Sequence, residues 1–317
     1  MSEIAVLGAG AWGTALAIQA ARAGNDVVLW ARTNADAIAV SRESPRLPGH
    51  FLPRRVRVTG DISLLSGTVL AAVPAQSLRA ALSGLTNARE LVICAKGIEA
   101  GTLSLPLEIA AEVRPEAVAA VLTGPNFAHE IALGLPAAAV VAGLDRTMRE
   151  AVIASLATPS FRLYGSDDPI GAQLGGAAKN VIAIAAGAVT GAGLGENARS
   201  ALITRGLAEL ARLTVALGGR TETVMGLSGL GDLVLTCTGP ASRNFSLGVA
   251  LGRGESLDTV LSARQAVTEG VATAPALLAR AHGVDMPICA AVAALLAGRT
   301  TLREAIGALL ARPRRDE

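Results

Sequence analysis

The sequence predicts an α/β fold, a doubly wound parallel sheet in the N-terminal half followed by an all-α C-terminal half, on three observations. Short apolar or β-branched runs alternate with helix-like segments: Glu3 to Leu7, Asp26 to Ala31, Thr68 to Val73, Leu91 to Ala95, Val118 to Leu122 and Ala137 to Ala142. Such alternation implies parallel strands joined by crossover helices. A glycine-rich string, Gly8-Ala9-Gly10-Ala11-Trp12-Gly13, links the first run to the first helical segment. Beyond about Asp167 long Ala- and Leu-rich segments recur at helical period: Pro169 to Ala188, Ala198 to Leu217, Thr273 to His282 and Thr301 to Arg312.

Met1 to Leu7 enters an apolar strand directly, with no basic leader or cleavage-site pattern, so a cytoplasmic location is expected. The helix that follows the glycines, Thr14 to Ala23, closes at Gly24-Asn25 before the second strand. Strand, GxGxxG and helix in that order predict a Rossmann-type dinucleotide site. Gly8 permits the tight turn, Gly10 the approach of backbone to pyrophosphate and Gly13 close helix packing, while the helix N-terminus offers N–H groups and positive dipole. Where the second strand ends, the acid that bonds the ribose of NAD is replaced in Leu29-Trp30-Ala31-Arg32-Thr33. Arg32 offers a forked donor to a ribose 2′-phosphate, so NADP(H) is the expected cofactor and NAD(H) the alternative. Stacking of Arg32 on adenine is the other reading.

Lys96 follows the strand Leu91 to Ala95 at its carboxyl end, the edge where ligands lie in doubly wound sheets. The next strand end, Leu122-Thr123-Gly124-Pro125-Asn126-Phe127-Ala128, turns into a helix and lines the same crevice. Gly165-Ser166-Asp167-Asp168-Pro169 pairs a turn with a helix start, Asp at the cap and Pro in the first turn, which sets the domains at 1–168 and 169–317. On the helix that follows, Gly171 and Gly175 precede Lys179 at four-residue steps and bare its face. Apolar neighbours disfavour the charged amine and make it a better proton acceptor; a lysine snorkelling from a packing groove is the structural alternative.

Of 28 basic residues only Lys96 and Lys179 are lysine. Arginine does not titrate in the useful range, so a position that must exchange a proton needs lysine. The remaining composition mostly excludes. A net charge of +2, with no like-charge run beyond the tail Arg312 to Arg315, argues against nucleic acid. Cys94, Cys237 and Cys289 are scattered in apolar surroundings and read as reduced core thiols; three dispersed histidines give no metal-ligand spacing. Mean hydropathy is positive, yet Ile131 to Leu144 is broken by Pro136 and Asn180 to Gly195 falls short of about 18 apolar residues, so no membrane span is expected.

Seven strings, in order, resemble the bacterial NAD(P)-dependent glycerol-3-phosphate dehydrogenases: Gly8-Ala-Gly-Ala-Trp-Gly-Thr-Ala-Leu-Ala, Ala95-Lys-Gly-Ile-Glu, Gly124-Pro-Asn-Phe-Ala, Ala178-Lys-Asn-Val-Ile-Ala, Gly226-Leu-Ser-Gly-Leu-Gly-Asp-Leu, Ser242-Arg-Asn and Glu269-Gly-Val. The resemblance implies reversible reduction of dihydroxyacetone phosphate to sn-glycerol 3-phosphate, product for glycerophospholipid synthesis, and a homodimer. It makes Lys179 the catalytic proton carrier and places Lys96, Gly124, Asn126, Asp232, Ser242, Arg243 and Asn244 on the substrate. Gly8, Gly10, Ala11, Trp12, Gly13, Arg32, Lys96, Ala128, Arg243, Val267 and Glu269 fall on the cofactor side. Taken alone, Asp232 also reads as a helix cap before Leu233, and Arg243 as a surface residue.

Ala11, Phe51 and Asn126 depart from the family pattern, which has Ser, Tyr, and Ser or Thr at those places. Other two-domain dehydrogenases, such as 3-hydroxyacid dehydrogenases or ketopantoate reductases, share the expected architecture, and fold alone does not separate them. Ser242-Arg243-Asn244 and the glycine-rich string ending at Asp232 favour the glycerol-phosphate family. A non-catalytic NADP-binding sensor would have no use for an apolar-set lysine.

Overall fold

The computed structural model describes residues 3–264 and 267–313, so Met1, Ser2 and the tail residues Arg314 and Arg315 lie outside the described residues. Eight strands form one sheet: β1 (Glu3–Leu7), β2 (Asp26–Trp30), β3 (Val56–Thr59), β4 (Ser66–Ala71), β5 (Asn87–Ile93), β6 (Val118–Thr123), β7 (Ala137–Ala142) and β8 (Phe161–Ser166). Their order is β3-β2-β1-β4-β5-β6-β7-β8. The chain starts in the middle, builds outward to β3, then returns past β1 to build the other side, so the carboxyl ends of β1 and β4 flank a crevice.

Six helices cover the sheet: α1 (Ala11–Arg22), α2 (Ala35–Ser41), α3 (Ala75–Ser83), α4 (Pro106–Val113), α5 (Ala128–Leu133) and α6 (Arg146–Leu156). One face of the sheet, with Val6, Leu29, Leu70 and Leu122, packs under Leu16 of α1 and Val152 and Leu156 of α6. The other, with Leu7, Val69, Leu91 and Ile93, packs under Leu78 and Leu82 of α3 and Ile109 of α4. Burial on both faces explains why the strands read as continuous apolar runs.

The sheet corrects the wholly parallel expectation, because β7 runs antiparallel to β6 while β8 is parallel to β7. The β6–β7 link contains only the six-residue α5, and the chain turns back at Gly134 (φ 78°), the C-cap of that helix. Strands β3 and β8 were absent from the sequence expectation. Both are sheet edges in which polar or charged residues interrupt the apolar run.

The second half is helical as expected: α7 (Pro169–Gly191), α8 (Gly195–Ala216), α9 (Thr221–Met225), α10 (Asp232–Cys237), α11 (Arg243–Gly252), α12 (Leu257–Ser262), α13 (Glu269–Arg280), α14 (Pro287–Leu296) and α15 (Leu302–Leu310). Asp168 caps α7 as expected: its Oδ1 accepts the Gly171 N–H at 2.9 Å, and Oδ2 accepts that of Arg220 at 2.8 Å. Every residue from Gly171 to Val189 is buried. By length and composition alone α7, which the sequence pattern did not single out as a span, is apolar enough to cross a membrane, but 89% of its apolar window is buried inside the protein. It is a core helix around which the other helices pack.

Close approach to α7 depends on glycine. A Cβ on Gly187 would lie 2.1 Å from the Phe245 carbonyl oxygen, and one on Gly248 of α11 would lie 2.0 Å from that of Ile184. The two helices therefore meet backbone to backbone. The halves are also stitched together, since Ile98 and Leu105 from the β5–α4 connection join the helical core and Gln173 Oε1 of α7 accepts the Leu107 N–H at 2.8 Å.

Because the atoms facing Gly187 are backbone, Gly187→Ala forces α11 outward. We expect it to cost at least about 2 kcal/mol, the scale of an overpacked core, read as a lower midpoint in thermal or urea unfolding. An unchanged midpoint would show that the contact is not this tight.

Candidate active site

The glycine-rich turn divides its labour among three residues. Gly8 has φ 113°, and a Cβ there would meet the Ala72 carbonyl oxygen at 2.9 Å; one on Gly13 would sit 1.8 Å from the Gly8 carbonyl oxygen. Both are demanded by the fold. Gly10 is different: its φ is an ordinary −69° and, among the described residues, nothing beyond its chain neighbours lies within 4 Å of its Cβ position. The space it keeps open lies at the N-terminus of α1, which begins at Ala11 rather than Thr14 and has no acid in its first turn. An open cradle with unopposed N–H groups fits a dinucleotide pyrophosphate. Ala11 and Trp12, half-buried, form that first turn.

Arg32 stands exposed just past the end of β2. The segment bearing the exposed Phe51 is tied to the glycine turn through Ser44, whose hydroxyl donates to the Ala9 carbonyl at 2.9 Å.

The centre of the crevice is one buried carboxylate holding two ammonium groups. Asp232 is fully buried; its Oδ2 accepts from Lys96 Nζ at 2.7 Å and its Oδ1 from Lys179 Nζ at 2.6 Å. Lys96 also donates to the Gly124 carbonyl at 2.9 Å, and Lys179 to Thr236 Oγ1 at 3.1 Å. Gly124, in the left-handed region at φ 139°, packs a missing Cβ against Ala139 Cα. The two lysines thus come from the two halves and converge on one carboxylate.

Asp232 is aimed by unusual backbone. Residues Leu227–Gly231 form a π-helical turn, which lets Gly229 lie against Val224 and Ser228 against Gly175 of α7, where a Cβ would be 2.4 Å from the Ser228 carbonyl oxygen. A π-turn in front of a short helix is frequent at functional sites. The reading of Asp232 as a helix cap is corrected: Gly231 occupies the cap, and both carboxylate oxygens are taken by lysines.

Burial pushes the Lys179 pKa down to about 8, despite the opposing attraction of Asp232; the charge of Lys96 lowers it further. The amine therefore exchanges its proton near neutral pH. Snorkelling is excluded by its burial.

A relay of amides connects this centre to the remaining candidates. Asn180 Nδ2 donates to the Lys96 carbonyl at 3.1 Å, Asn244 Nδ2 donates to Asn180 Oδ1 at 2.9 Å, and the Gly270 N–H donates to Asn244 Oδ1 at 3.0 Å. Each member is, or adjoins, a candidate: Lys96, Lys179, Arg243 and Glu269. Asn244 keeps a second amide hydrogen for a ligand. Asn180 and Thr236 were not singled out by sequence; the available signals were adjacency to Lys179 and a one-turn step from Asp232.

Ser242 is the N-cap of α11, its buried hydroxyl accepting the Phe245 N–H at 3.2 Å, while Arg243 begins the helix and is exposed. Glu269 Oε1 accepts the Ala75 N–H at 3.3 Å, bridging α13 to the helix after β4; burial raises its pKa, partly offset by that bond and by the Arg243 charge. Asn126 Nδ2 donates to the Ala138 carbonyl at 3.3 Å and its Oδ1 is buried without a partner. Ala128 is half-buried at the start of α5, and Val267 is exposed ahead of α13. Arg32, the glycine turn, Asn126, Ala128 and Val267 lie outside that relay.

Comparison with known proteins follows this geometry. Residues 3–149 match the model of the NAD-dependent glycerol-3-phosphate dehydrogenase N-terminus, and residues 168–307 that of its C-terminus. The glycerol-3-phosphate dehydrogenase (NAD(P)+) of Acidiphilium cryptum is 59% identical over 320 residues, covering 99% of this chain and 98% of its own. The crystal structure of glycerol-3-phosphate dehydrogenase from Coxiella burnetii has 36% identity and a TM-score of 0.92, covering 98% of this chain and 99% of that one. A ketopantoate reductase from Ralstonia eutropha, at 18% identity and TM-score 0.59 over 93% of this chain and 97% of its own, shares the fold alone.

The glycines predict a separation of effects. Gly10→Ala should leave the unfolding midpoint unchanged and weaken dinucleotide binding at least about tenfold, because the methyl group enters space reserved for the ligand. Gly13→Ala should lower the midpoint first. Tryptophan fluorescence quenched by added NADPH reads binding; a Gly10→Ala protein that binds like wild type would remove the pyrophosphate from this turn.

Proposed function

The chain belongs to the NAD(P)-dependent glycerol-3-phosphate dehydrogenase family, and from that premise we propose how its residues divide the work. The enzyme interconverts dihydroxyacetone phosphate and sn-glycerol 3-phosphate with NAD(P)(H). The observation that carries the assignment of roles is the pair of lysines on the Asp232 carboxylate.

When bound, the dihydronicotinamide supplies hydride to the ketone carbon. Lys179 gives a proton to the ketone oxygen as negative charge develops there, and takes it back in the oxidative direction. A pKa near 8 leaves both forms accessible near neutral pH, which suits a reversible proton carrier. Lys96, held beyond the carboxyl end of β5 by its bonds to Gly124 and Asp232, adds a second positive charge beside that oxygen. Asp232 fixes both ammonium groups and Thr236 takes a second Lys179 donor, which leaves the third for the substrate oxygen.

The phosphate end goes to the first turn of α11, where the free N–H groups of the helix N-terminus, the Arg243 guanidinium, the Ser242 hydroxyl proton and the second Asn244 N–H can converge. Gly124 and Asn126 line the opposite wall. Gly8, Gly10, Ala11, Trp12 and Gly13 hold the pyrophosphate, with Lys96, Ala128, Arg243, Val267 and Glu269 on the nicotinamide side. Arg32 selects the 2′-phosphate, so NADPH is preferred. The division into a nucleotide domain, 1–168, and a substrate domain, 169–317, follows the Asp168 cap. Supply of product to glycerophospholipid synthesis, a homodimeric state and cytoplasmic residence extend the same reading.

Wild type should oxidise NADPH with dihydroxyacetone phosphate and not with dihydroxyacetone, and Lys179→Ala should lose at least about a hundredfold in kcat, the scale of a missing general acid, with NADPH binding intact. The reductive rate should fall, and the oxidative rate rise, as pH passes upward through about 8, because the first needs the ammonium and the second the free amine. Activity retained in Lys179→Ala would move the proton transfer elsewhere. Arg32→Asp should shift the ratio of kcat/KM for NADPH over NADH toward NADH by about tenfold or more; no shift would leave Arg32 only a stacking role.

A further inference from the structure

We propose that Arg264 is a positioning residue for Arg243: it grips the first turn of α11 from outside and so sets the affinity of the site for the substrate's phosphate. Arg264 follows α12, in a part of the chain to which the sequence attached no role. Its Nη1 donates to the Arg243 carbonyl at 2.7 Å and its Nη2 to the Ser246 hydroxyl oxygen at 3.0 Å. The Ser246 hydroxyl in turn donates to the same Arg243 carbonyl at 3.1 Å. Three hydrogen bonds thus close a triangle around the peptide that carries the phosphate-binding guanidinium.

A planar fork with two donors is required for that geometry, since one nitrogen reaches the carbonyl and the other the hydroxyl. The grip matters because Arg243 is a long exposed side chain, whose reach is defined only if its backbone is fixed. Among the described residues neither guanidinium forms an ion pair with a carboxylate. Burial and the nearby charge of Arg243 lower the Arg264 pKa, against an opposing pull from the Glu255 carboxylate. Two cations are therefore held together at a helix N-terminus that is itself positive, with Glu255 and Glu269 the carboxylates within electrostatic reach, and an entering anion is favoured there. The inference rests on the reading of the α11 N-terminus as the phosphate site.

The full-length enzyme tests it with Arg264→Gln, Arg264→Lys and Ser246→Ala. Expected in Arg264→Gln is a rise of about tenfold in KM for dihydroxyacetone phosphate, the scale of a lost charge-assisted hydrogen bond, with kcat within about twofold. Arg264→Lys, which has no fork, should stay near the Gln variant, and Ser246→Ala should raise KM about two- to threefold. Calorimetric titration of inorganic phosphate should show the same order of weakening without any turnover. Unchanged KM and phosphate affinity beside a lower unfolding midpoint would make Arg264 structural and overturn the proposal. Full rescue by lysine would replace the grip with a mere charge and overturn it too. A wild type that binds phosphate but turns over no phosphorylated ketone would sink the reaction assignment instead, leaving the phosphate titrations to judge Arg264.

Discussion

Asp232 is the constraint on which the arrangement depends, because one buried carboxylate must satisfy two ammonium groups arriving from opposite halves of the chain. Removing such charges from water costs several kcal/mol per ion unless geometry and hydrogen bonds compensate. Each oxygen holds one lysine, and a second donor of each lysine goes to Gly124 or to Thr236. Two positive charges on one negative leave a net positive field in the crevice. In the proposed mechanism that surplus lies beside the ketone oxygen as it acquires charge, so the interaction that holds the halves together also prepares the chemistry.

Holding Asp232 there requires the helical half to pack more closely than side chains allow. Gly175, Gly187 and Gly191 along α7 answer Ser228, Phe245 and Val249 with bare backbone. The first of these contacts seats the π-turn that delivers Asp232; the others seat α11, whose first turn carries Ser242, Arg243 and Asn244. Asn180 and Asn244 then lock that turn to the Lys96 backbone and to Gly270 beside Glu269. The candidate groups of the helical half are therefore set by one buried helix, which suits the proposed reaction, since that needs alignment within a few tenths of an ångström.

The fold by itself would not have chosen the substrate. A ketopantoate reductase shares it at 18% identity. What the fold leaves open is carried by the site, which here holds a buried lysine beside a carboxylate and a polar first turn of a helix.

Much of this was determined by sequence alone, because the relevant signals are local. The strand–glycine–helix string, the alternation in the first half, the helical period of the second, the Asp168 cap and the scarcity of lysine all act within a few residues. Tertiary structure decided the rest. That β7 runs antiparallel depends on how a six-residue helix turns back, and the edge strands β3 and β8 exist only through pairing with neighbours. Asp232 reads equally as a cap or a partner until Lys96 and Lys179, 136 and 53 residues away in the chain, arrive on its two oxygens. The apolar length of α7 means membrane or core until other helices cover it. In each case the deciding contact joins residues far apart in sequence, where local pattern carries no information about which partner packing will bring.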